Sequence, residues 1–413
     1  MKRKFYNIAS ATSSLFEKEM ELLPSVTELF EIEMAYLENK VLDKTNFAER
    51  TAFFKTVNGQ LSKHFLLYSE QPETLLESRS SATQNYFENG QFATGYATHS
   101  LFPYRGKFHP QLIKGIINLI GIKKGETLLD PMCGSGTLNV EAALMGINSY
   151  AADVSPFCQF MTHIKYEALK INQDILKEHT KKPSDLFELF SNKGILSQLK
   201  RMFNPDELRV YQLSLLAFLD SMGYAKRVEK SNHKQLFPRV LKRYVETVET
   251  LINNPHFKDV SLGTVQILKK SEALNIELKK NSVDGVITSP PYSFAIDYAE
   301  NDKDQLEYLG FDVNQLREKM IGLKGKGKTE KLNNYFSDME IYCSEIARVL
   351  KKGKYFVMII GSNTNQTGGI RLEDKIIESA SKQKLKLVKS MIKPIKGMRN
   401  TMKDEYILFF EKQ

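Results

Sequence analysis

The stretch that decides the fold is "LLDPMCGSGTLNVEAA", residues Leu128–Ala143. An apolar strand ends at Asp130, a tight turn with Gly134 and Gly136 follows, and a helical pattern begins directly after it. Glycine permits positive φ and close backbone approach, which is typical of strand-to-helix turns that bind ligands in α/β folds. The N–H groups at the start of such a helix suit an anion or a polar ligand head.

Two acidic residues near this turn indicate which ligand it could hold. Asp153 closes the next strand, "NSYAADVSP", at the spacing where cofactor-binding folds place a carboxylate on ribose hydroxyls. Asp130 would repel a pyrophosphate, but it can accept hydrogen bonds from an ammonium group. An adenosine with an amino-acid tail has both features, and S-adenosylmethionine is such a molecule.

Each of these features also has a simpler interpretation. The glycine turn could be an ordinary strand-to-helix connection, Asp153 could cap a helix, and Asp130 could bond to its own turn. A phosphate-binding loop of the GxxxxGK[ST] type is excluded, because no lysine follows the second glycine.

The chain as a whole separates into three regions. Residues 1–95 have the apolar spacing of helices, although the polar part from 71 to 105 is typical of an extended connection. Residues 96–165 and 260–413 alternate strands with helices, which predicts one α/β domain with a mainly parallel sheet. Residues 166–259 are predicted to be a helical insertion that interrupts this domain.

A second stretch, "VDGVITSPPYSFAIDY" (Val283–Tyr298), carries chemistry. Its two prolines fix φ and donate no N–H group, so the Pro290 carbonyl can be held stiffly towards a ligand. The Ser289 hydroxyl supplies a second acceptor, and Tyr292 offers a flat face on which an extruded base could stack. Two acceptors aimed at the N–H groups of an exocyclic amine would free its lone pair for attack. A proline-rich strand end beside a core tyrosine is the simpler alternative.

The order of the two motifs resembles that of the S-adenosylmethionine-dependent amino methyltransferases that act on DNA. "DPMCGSGT" is similar to their D-P-F-x-G-S-G-T motif, with Met132 in place of phenylalanine, and "SPPY" resembles the variant of cytosine-N4 enzymes. Adenine-N6 enzymes more often carry Asp or Asn before the prolines. The resemblance covers about Tyr96–Tyr166 and Thr264–Gln413. It implies a Rossmann-like α/β sheet, mainly parallel, with an antiparallel strand near the C-terminus.

The resemblance also implies a set of site residues. Those expected to hold the cofactor are Phe108, His109, Asp130, Pro131, Cys133, Gly134, Ser135, Gly136, Thr137, Asp153, Val154, Ser271 and Glu272. Those expected to hold the amino group and the base are Ser289, Pro290, Pro291 and Tyr292. Ser271 departs from the family pattern, which usually has an acid there, with Glu272 adjacent. Amine methylation by this route needs no histidine and no metal.

The formal net charge of +9 favours an anionic partner, which the resemblance identifies as double-stranded DNA with one base flipped out. Basic residues of the helical insertion and of the stretch "GLKGKGKTEK", interpreted as a mobile loop, are expected to contact phosphates. They are Lys226, Arg227, Lys234, Arg239, Lys242, Arg243, Lys324, Lys326 and Lys328. A solvated helix face is the alternative for each of them.

The cysteine and apolar patterns indicate the compartment. Three cysteines without CxxC spacing fit neither disulfides nor a zinc site and indicate a reducing cytosol. No signal peptide and no membrane-spanning stretch is recognised, so a cytoplasmic protein is expected.

The function expected from these features is methylation of an exocyclic amino group of a DNA base, cytosine N4 before adenine N6. A bacterial-type modification role would add a cognate restriction endonuclease as a second partner. Two alternatives stay open, an RNA methyltransferase acting on guanine N2 and a DNA-binding module without catalysis.

Overall fold

A seven-stranded sheet forms the centre of the protein. The computed structural model describes residues 14–69, 95–104, 106–192, 195, 198, 201, 203–227, 232–292, 296–362, 364–395 and 404–413. Most of the predicted connection from 71 to 105 lies outside the described residues. The strands are β1 (Glu21–Leu22), β2 (Phe54–Val57), β3 (Gln60–Leu61), β4 (Thr127–Asp130), β5 (Asn148–Ala151), β6 (Val265–Ile267), β7 (Val283–Thr288), β8 (Leu350–Gly361), β9 (Leu385–Pro394) and β10 (Asp404–Lys412).

Helices cover both faces of this sheet and form most of the insertion. They are α1 (Leu29–Val41), α2 (Phe47–Arg50), α3 (Lys63–Tyr68), α4 (Pro110–Leu119), α5 (Thr137–Leu144), α6 (Pro156–Glu167), α7 (Gln173–Thr180), α8 (Pro183–Ser191), α9 (Pro205–Arg227), α10 (His233–Ile252), α11 (Tyr298–Asn301), α12 (Lys303–Tyr308), α13 (Val313–Lys319), α14 (Gly327–Val349), α15 (Thr364–Thr367) and α16 (Leu372–Lys382). Within the described ranges, no helix combines the length and the apolar character that crossing a membrane requires.

The order of the strands in the main sheet is β6-β5-β4-β7-β8-β10-β9. The strands β6, β5, β4, β7 and β8 are parallel to one another, whereas β10 is antiparallel to both β8 and β9. The predicted fold class, a Rossmann-like sheet with an antiparallel strand near the C-terminus, is therefore confirmed. The chain proceeds outward from β4 to β6 and then returns to β7 on the other side of β4. The carboxyl ends of β4 and β7 thus mark the topological switch point, where such sheets bind ligands.

Alternate residues of the central strands face opposite layers of the structure, as the period of a β-strand requires. Ile407 and Phe409 of β10 pack with α4, α5 and part of the N-terminal region. Leu408 and Phe410 pack on the other face with α14 and α16. The helical insertion has a separate apolar cluster, built around fully buried rings such as Phe190 and Tyr244.

The N-terminal region differs in part from the prediction. Its apolar spacing correctly predicts α1, but the segments 13–23 and 51–68, also predicted to be helical, contribute strands. Residues 51–68 form the hairpin β2–β3 followed by α3, because Asn58 and Gly59 take φ of 49° and 75°. An Asn-Gly pair with positive φ favours a two-residue hairpin turn. β1 pairs with β2 and completes a small antiparallel sheet.

Candidate active site

The loops that follow β4 and β7 meet at the carboxyl edge of the sheet. Since β4 and β7 are parallel neighbours, the residues that end them, Asp130 and Thr288, lie side by side. The Thr288 hydroxyl donates a hydrogen bond of 2.9 Å to Oδ1 of Asp130, and both residues are fully buried. The structure therefore brings the glycine turn and the SPPY loop together.

A cavity of about 960 Å³, partly continuous with solvent, opens between these two loops. The predicted site residues that line it are Phe108, Pro131, Cys133, Gly134, Ser135, Asp153, Val154, Glu272, Ser289 and Pro291. They come from the segment before α4 and from the loops after β4, β5, β6 and β7. Residues far apart in the sequence thus share one site.

The glycine turn depends on the absence of side chains at two positions. Gly134 and Gly136 have φ of 47° and 73°, in the region that glycine adopts most easily. A Cβ on Gly136 would lie 2.7 Å from Oγ1 of Thr162 and 3.0 Å from its Cα, because α6 packs directly on the turn. A Cβ on Gly134 would lie 3.4 Å from the ring of Tyr104. The predicted need for glycine is confirmed at Gly136 by both conformation and space.

Asp153 ties the glycine turn to the end of β5. Its Oδ2 accepts the N–H of Gly134 at 2.9 Å, and its Oδ1 accepts the N–H of Ser155 at 2.8 Å. The Gly134 N–H is therefore used within the protein to hold the turn against Asp153. Burial raises the pKa of Asp153 to about 6. An ionised carboxylate offers about four lone pairs, so Asp153 can accept further hydrogen bonds from a ligand in the cavity.

Asp130 lies behind the turn rather than on the cavity wall. Its Oδ1 accepts both the Thr288 hydroxyl and, at 3.2 Å, the N–H of Met132. Its Oδ2 is buried and has no hydrogen-bond partner among the described residues. Burial raises the pKa of Asp130 to about 7. A desolvated carboxyl with one open oxygen suits a cationic or N–H-bearing ligand.

The SPPY loop is bonded to the C-terminal strands. The Ser289 hydroxyl donates to Oη of Tyr292 at 3.3 Å, and the Tyr292 hydroxyl donates to Oε1 of Glu405 at 2.9 Å. The ammonium of Lys393 lies 2.5 Å from Oε2 of Glu405. Burial and the Glu405 carboxylate raise the pKa of Tyr292 well above its ordinary value. Part of the Tyr292 ring packs against the core, and its use as a stacking face stays a prediction.

The remaining predicted cofactor and catalytic residues, all of them described, lie outside the cavity lining; these are His109, Asp130, Gly136, Thr137, Ser271, Pro290 and Tyr292. Ser271 is buried, and its Oγ accepts the N–H of Glu277 at 2.8 Å, so it fixes its own loop. His109 directly precedes α4, and burial lowers its pKa to about 4, which keeps the ring neutral. Ser271 therefore supports its own loop, whereas direct contacts of Pro290 and Tyr292 with a base stay a prediction.

Sequence reasoning missed a large part of the cavity wall. The additional lining residues are Tyr104, Gly106, Lys107, Met132, Ser155, Cys158, Ala273, Leu274, Tyr298, Lys319, Met320, Ile321 and Leu323. The rings of Tyr104 and Tyr298 are inclined by 17°, with centroids 6.2 Å apart. Lys319 lies 3.2 Å from the Glu272 carboxylate. Gly106, Lys107 and Tyr298 lie beside recognised motifs, whereas the segment from 319 to 323 carries no motif that could have identified it.

Several of the predicted phosphate contacts in the insertion are ion-paired within the protein. Lys234 lies 2.6 Å from Glu188, and Lys242 lies 3.6 Å from Glu246. Arg243 is partly buried and bonds to Asp220 at 2.5 Å. Arg239 is exposed. The side chains of Lys226 and Arg227, at the end of α9, lie outside the described part of the chain.

The second half of the lysine-rich stretch is helical. Lys324 pairs with Asp338 at 2.9 Å, and α14 begins at Gly327, so Lys328 lies in its first turn. Glu330 accepts the N–H of Lys326 at 2.7 Å and so caps the helix. The prediction of a loop is therefore wrong from Gly327 onward, and mobility of the preceding residues stays a prediction; Lys326 and Lys328 are exposed.

Two family models match separate parts of the chain. Residues 100–211 match a methyltransferase domain described as RMKL-like, and residues 283–413 match a DNA methylase. The first match contains the glycine turn and Asp153, and the second contains the SPPY loop. Each match covers less than half of the chain. The resemblance to S-adenosylmethionine-dependent DNA amino methyltransferases is confirmed by these matches, without a distinction between the N4 and N6 types.

The curated relatives of the chain are methyltransferases of different kinds. The chain is 25% identical over 323 residues to the Type II methyltransferase M.BsoBI of Geobacillus stearothermophilus, with 61% of this chain and 62% of that protein aligned. It is 43% identical over 53 residues to the tRNA (guanine(10)-N2)-dimethyltransferase of Methanothermobacter thermautotrophicus, with 13% of this chain and 16% of that protein aligned. The chain thus spans less than two thirds of the length of either relative.

Solved structures align with the chain only at low TM-scores. The rRNA methyltransferase aviRa of Streptomyces viridochromogenes aligns with a TM-score of 0.34 and 13% identity, over 78% of this chain and 91% of that one. The fold is therefore assigned from the strand order and not from this overlap.

The cavity fits S-adenosylmethionine, the cofactor that the methyltransferase matches imply. Burial raises the pKa of three carboxyls in and near the cavity, Asp153 to about 6 and both Asp130 and Asp302 to about 7. Desolvated carboxyls gain from a bound cation, and the cofactor carries an ammonium and a sulfonium. Apolar residues such as Val154 and Leu274 line the cavity beside Asp153. This pattern suits a nucleoside with a cationic tail.

Proposed function

We propose that the protein methylates an exocyclic amino group of a base in double-stranded DNA, with cytosine N4 as the target. One observation carries this proposal, namely that the loops after β4 and β7 are joined by the Thr288–Asp130 hydrogen bond and line one cavity. The first loop carries the cofactor motif and the second carries the motif for an amine. A methyl donor and an amine can therefore be held in one space, which favours transfer through proximity.

The cofactor would be held mainly by the residues around the glycine turn. Asp153 would accept hydrogen bonds from the ribose hydroxyls, and Gly134 would let the backbone approach the ligand closely. The open oxygen of Asp130 would attract the ammonium end through the electrostatic field behind the turn. When bound, S-adenosylmethionine supplies a methyl group on a positively charged sulfur, which an amine lone pair can attack.

The amino group would be held by the SPPY loop. Ser289 Oγ and the carbonyl of Pro290 would each accept one N–H of the amine, and this draws the nitrogen lone pair out of conjugation with the ring. A nitrogen freed in this way needs no strong base. Pro291 shapes the wall beside it, and Tyr292 would offer the face on which the base stacks. Serine before the two prolines favours cytosine N4 over adenine N6.

The DNA would bind across the basic part of the helical insertion. Extruding one base costs a few kcal/mol, which contacts to phosphates offset. In our proposal the exposed residues Arg239, Lys326 and Lys328 would make such contacts, together with Lys234 and Lys242 after exchange of their ion pairs. Arg243 and Lys324 are held by Asp220 and Asp338 and would serve the structure instead.

A division of labour among the three regions follows from this proposal. Residues 96–165 and 260–413 would form the catalytic domain. Residues 166–259 would form the target-recognition region, and residues 1–95 would be an accessory region whose described part packs on the sheet. A cognate restriction endonuclease is proposed as a second partner, since relatives such as M.BsoBI are Type II methyltransferases.

The proposal is tested by incubating the protein with cofactor labelled in its methyl group and two acceptors. One acceptor is bacterial genomic DNA amplified by PCR, which carries no methylation, and the other is tRNA transcribed in vitro. We expect label in DNA only, and digestion to nucleosides should assign it to N4-methylcytosine. Label in N6-methyladenine would correct the target base. DNA binding without transfer to either acceptor would leave only the non-catalytic alternative.

An RNA guanine-N2 methyltransferase is the second candidate function. Two observations favour it, the RMKL-like match over residues 100–211 and the short match to a tRNA dimethyltransferase. The latter covers only 13% of this chain. Label that enters tRNA and not DNA in the same experiment would replace our proposal with this one.

A further inference from the structure

The start of β10 reaches the SPPY loop because β10 runs against the rest of the sheet. Glu405 is paired with Gly361, the last residue of β8, and with Lys393 of β9. In a parallel sheet the ligand edge collects only strand ends, whereas an antiparallel strand contributes its beginning to the same edge. This topology lets a carboxylate from the last strand contact Tyr292.

The hydrogen bonds from Ser289 to Glu405 have a fixed direction. An ionised carboxylate can only accept, so the single proton of the Tyr292 hydroxyl must be donated to Glu405. The Tyr292 oxygen is then left as an acceptor, and the Ser289 hydroxyl donates its own single proton to it. Ser289 Oγ is consequently left with lone pairs alone for any group in the cavity.

Lys393 stabilises the charged end of this chain of hydrogen bonds. Its ammonium lies 2.5 Å from the second oxygen of Glu405, and both side chains are about one fifth exposed, 21% and 19%. A carboxylate paired with an ammonium in this way has only lone pairs to offer to the Tyr292 hydroxyl. The acceptor character of Glu405 is thus supported by a residue on the neighbouring strand.

We propose that Glu405 is a positioning residue that fixes the Ser289 hydroxyl as a hydrogen-bond acceptor and thereby restricts the cavity to bases that present an amino group. This inference rests on the proposed function and deepens it by naming the substrate class. Cytosine N4 and adenine N6 donate hydrogens, whereas thymine O4 and guanine O6 are acceptors. A ring carbonyl at the same place would face the lone pairs of Ser289 and be repelled.

The experiment compares Glu405→Gln and Glu405→Ala with the unmodified protein. Glutamine keeps the shape but adds an amide that can donate to Tyr292, so the direction of the hydrogen bonds is no longer fixed. With PCR-amplified DNA and labelled cofactor, we expect Glu405→Ala to lower kcat about 10-fold, the effect of one hydrogen bond to a charged group. Glu405→Gln should retain an intermediate kcat, and KM for the cofactor should change less than about 2-fold, since the cofactor loop is untouched.

Glu411 provides the matched control. It lies on the same strand at the opposite edge of the sheet, paired with Lys386 and Tyr355. Glu411→Gln makes the same change in charge far from the SPPY loop and should leave kcat unaltered. An equal loss of kcat in Glu411→Gln would assign the effect to the stability of β10 and overturn the inference.

A second measurement is independent of methyl transfer. The protein is produced with 3-fluorotyrosine, the Tyr292 signal is assigned in the ¹⁹F NMR spectrum with Tyr292→Phe, and its ionisation is followed by titration. We expect the pKa of Tyr292 to fall towards its ordinary value in Glu405→Gln, because the neighbouring negative charge is lost. The other tyrosine signals report whether each variant is folded.

The outcomes separate this inference from the proposed function. If the protein methylates DNA but Glu405→Ala has an unchanged kcat, Glu405 does not position Ser289 and the inference is lost while the function stands. If the protein does not methylate DNA, the proposed function is lost, and the titration decides the hydrogen-bond direction alone. A Tyr292 titration that is the same with Glu405 and with glutamine overturns the inference in either case.

Discussion

The site loops and the helical insertion differ in how their polar side chains are held. In the loops after β4 and β7, Asp130, Asp153 and Thr288 are buried or nearly so and bonded to other strands or to backbone N–H groups. In the insertion, Lys234 and Lys242 are exposed and pair with acids on the helix surface. Breaking a buried contact leaves its partner unsatisfied, at a cost of about 1–3 kcal/mol, whereas exposed ion pairs contribute about 0–1 kcal/mol.

Single substitutions should therefore have large effects in the loops and small effects in the insertion. One changed atom in the loops should alter catalysis or folding strongly. In the insertion, each basic residue should contribute a small, salt-dependent share of DNA affinity. The following predictions test that contrast, from the largest expected effect to the smallest.

The largest effect is expected for Ser289→Ala. Removing one oriented acceptor from the reacting amine should lower kcat about 100-fold, by analogy with the loss of one hydrogen-bonding group in other active sites. The measurement is the rate of methyl transfer under single-turnover conditions. Binding of S-adenosylhomocysteine should be unchanged, because the cofactor loop is intact. Ser390→Ala, at an exposed position on edge strand β9, is the matched control and should behave like the unmodified protein.

Gly136→Ala should destabilise the fold itself. Gly136 has φ of 73°, and a Cβ added there would lie 3.0 Å from the Cα of Thr162. We expect a loss of about 3 kcal/mol in the free energy of unfolding, the sum of left-handed strain and overpacking. Urea denaturation measures it. Gly121→Ala, with φ of 70° and no atom within 4 Å of its Cβ, carries the strain without the clash and should lose only about 1–2 kcal/mol. Equal losses in the two variants would contradict the close packing at the glycine turn.

Cofactor affinity should depend on pH through the buried carboxyls. Burial raises the pKa of Asp153 to about 6 and of Asp130 to about 7, so both become neutral as the pH falls through these values. A bound ammonium favours the ionised forms, so the Kd of S-adenosylhomocysteine should rise about 10-fold between pH 8 and pH 5.5. Calorimetric titration measures it. Asp153→Asn should flatten the dependence near pH 6; an affinity independent of pH in the unmodified protein would refute the electrostatic role of these carboxyls.

The same carboxyls should make the ligand-free protein less stable as the pH rises. Their folded pKa values lie above the ordinary value near 4, so between pH 4 and 7 the folded protein binds protons that the unfolded chain has released. Their contribution to the free energy of unfolding is therefore greatest below about pH 4 and is lost as the pH approaches 7. Asp130→Asn keeps an oxygen that can accept from Thr288 and Met132, so it should raise the melting temperature at pH 8 while it weakens cofactor binding. A lower melting temperature at pH 8 would show that the ionised Asp130 stabilises the turn.

The smallest effect on function is expected for Arg239→Ala in the insertion. Losing one phosphate contact should weaken DNA binding about equally for all sequences and reduce the slope of log K against log salt by about 0.9. Fluorescence anisotropy with a labelled duplex at several salt concentrations measures this slope. Arg243→Ala is the counterpart, since it removes the ion pair of the buried Asp220. Arg243→Ala should lower the melting temperature and leave the slope unchanged. A smaller slope with an unchanged melting temperature would assign the DNA contact to Arg243.

The motifs at the sheet edge could be predicted from the sequence because their chemistry is local. Each motif constrains the backbone within a few residues. The motifs are a glycine turn, an acid at the end of the next strand and two adjacent prolines. The parallel sheet then brings the turn at Gly134 and the loop at Ser289 together without further information. The antiparallel β10 was likewise predicted through the resemblance to a family.

The rest of the site depends on contacts between distant segments. Lys319 and Met320, at the end of α13, line the cavity. Glu405 on β10 contacts Tyr292, which follows β7, although β8 lies between these two strands. No spacing rule connects such residues before the fold is known. The hairpin at Asn58 is a different case. Its Asn-Gly pair is a local signal for a two-residue turn, but the apolar residues around it have the spacing of a helix.

The central claim is that one cavity unites a methyl donor with the amino group of a DNA base. It is tested most directly by mass spectrometry of nucleosides from the DNA of a methylation-deficient host that expresses either the protein or its Ser289→Ala variant. We predict N4-methylcytosine in the first DNA and a level reduced at least about 10-fold in the second. DNA without any methylated base, with methylguanosine appearing in the tRNA of the same cells, would contradict the account.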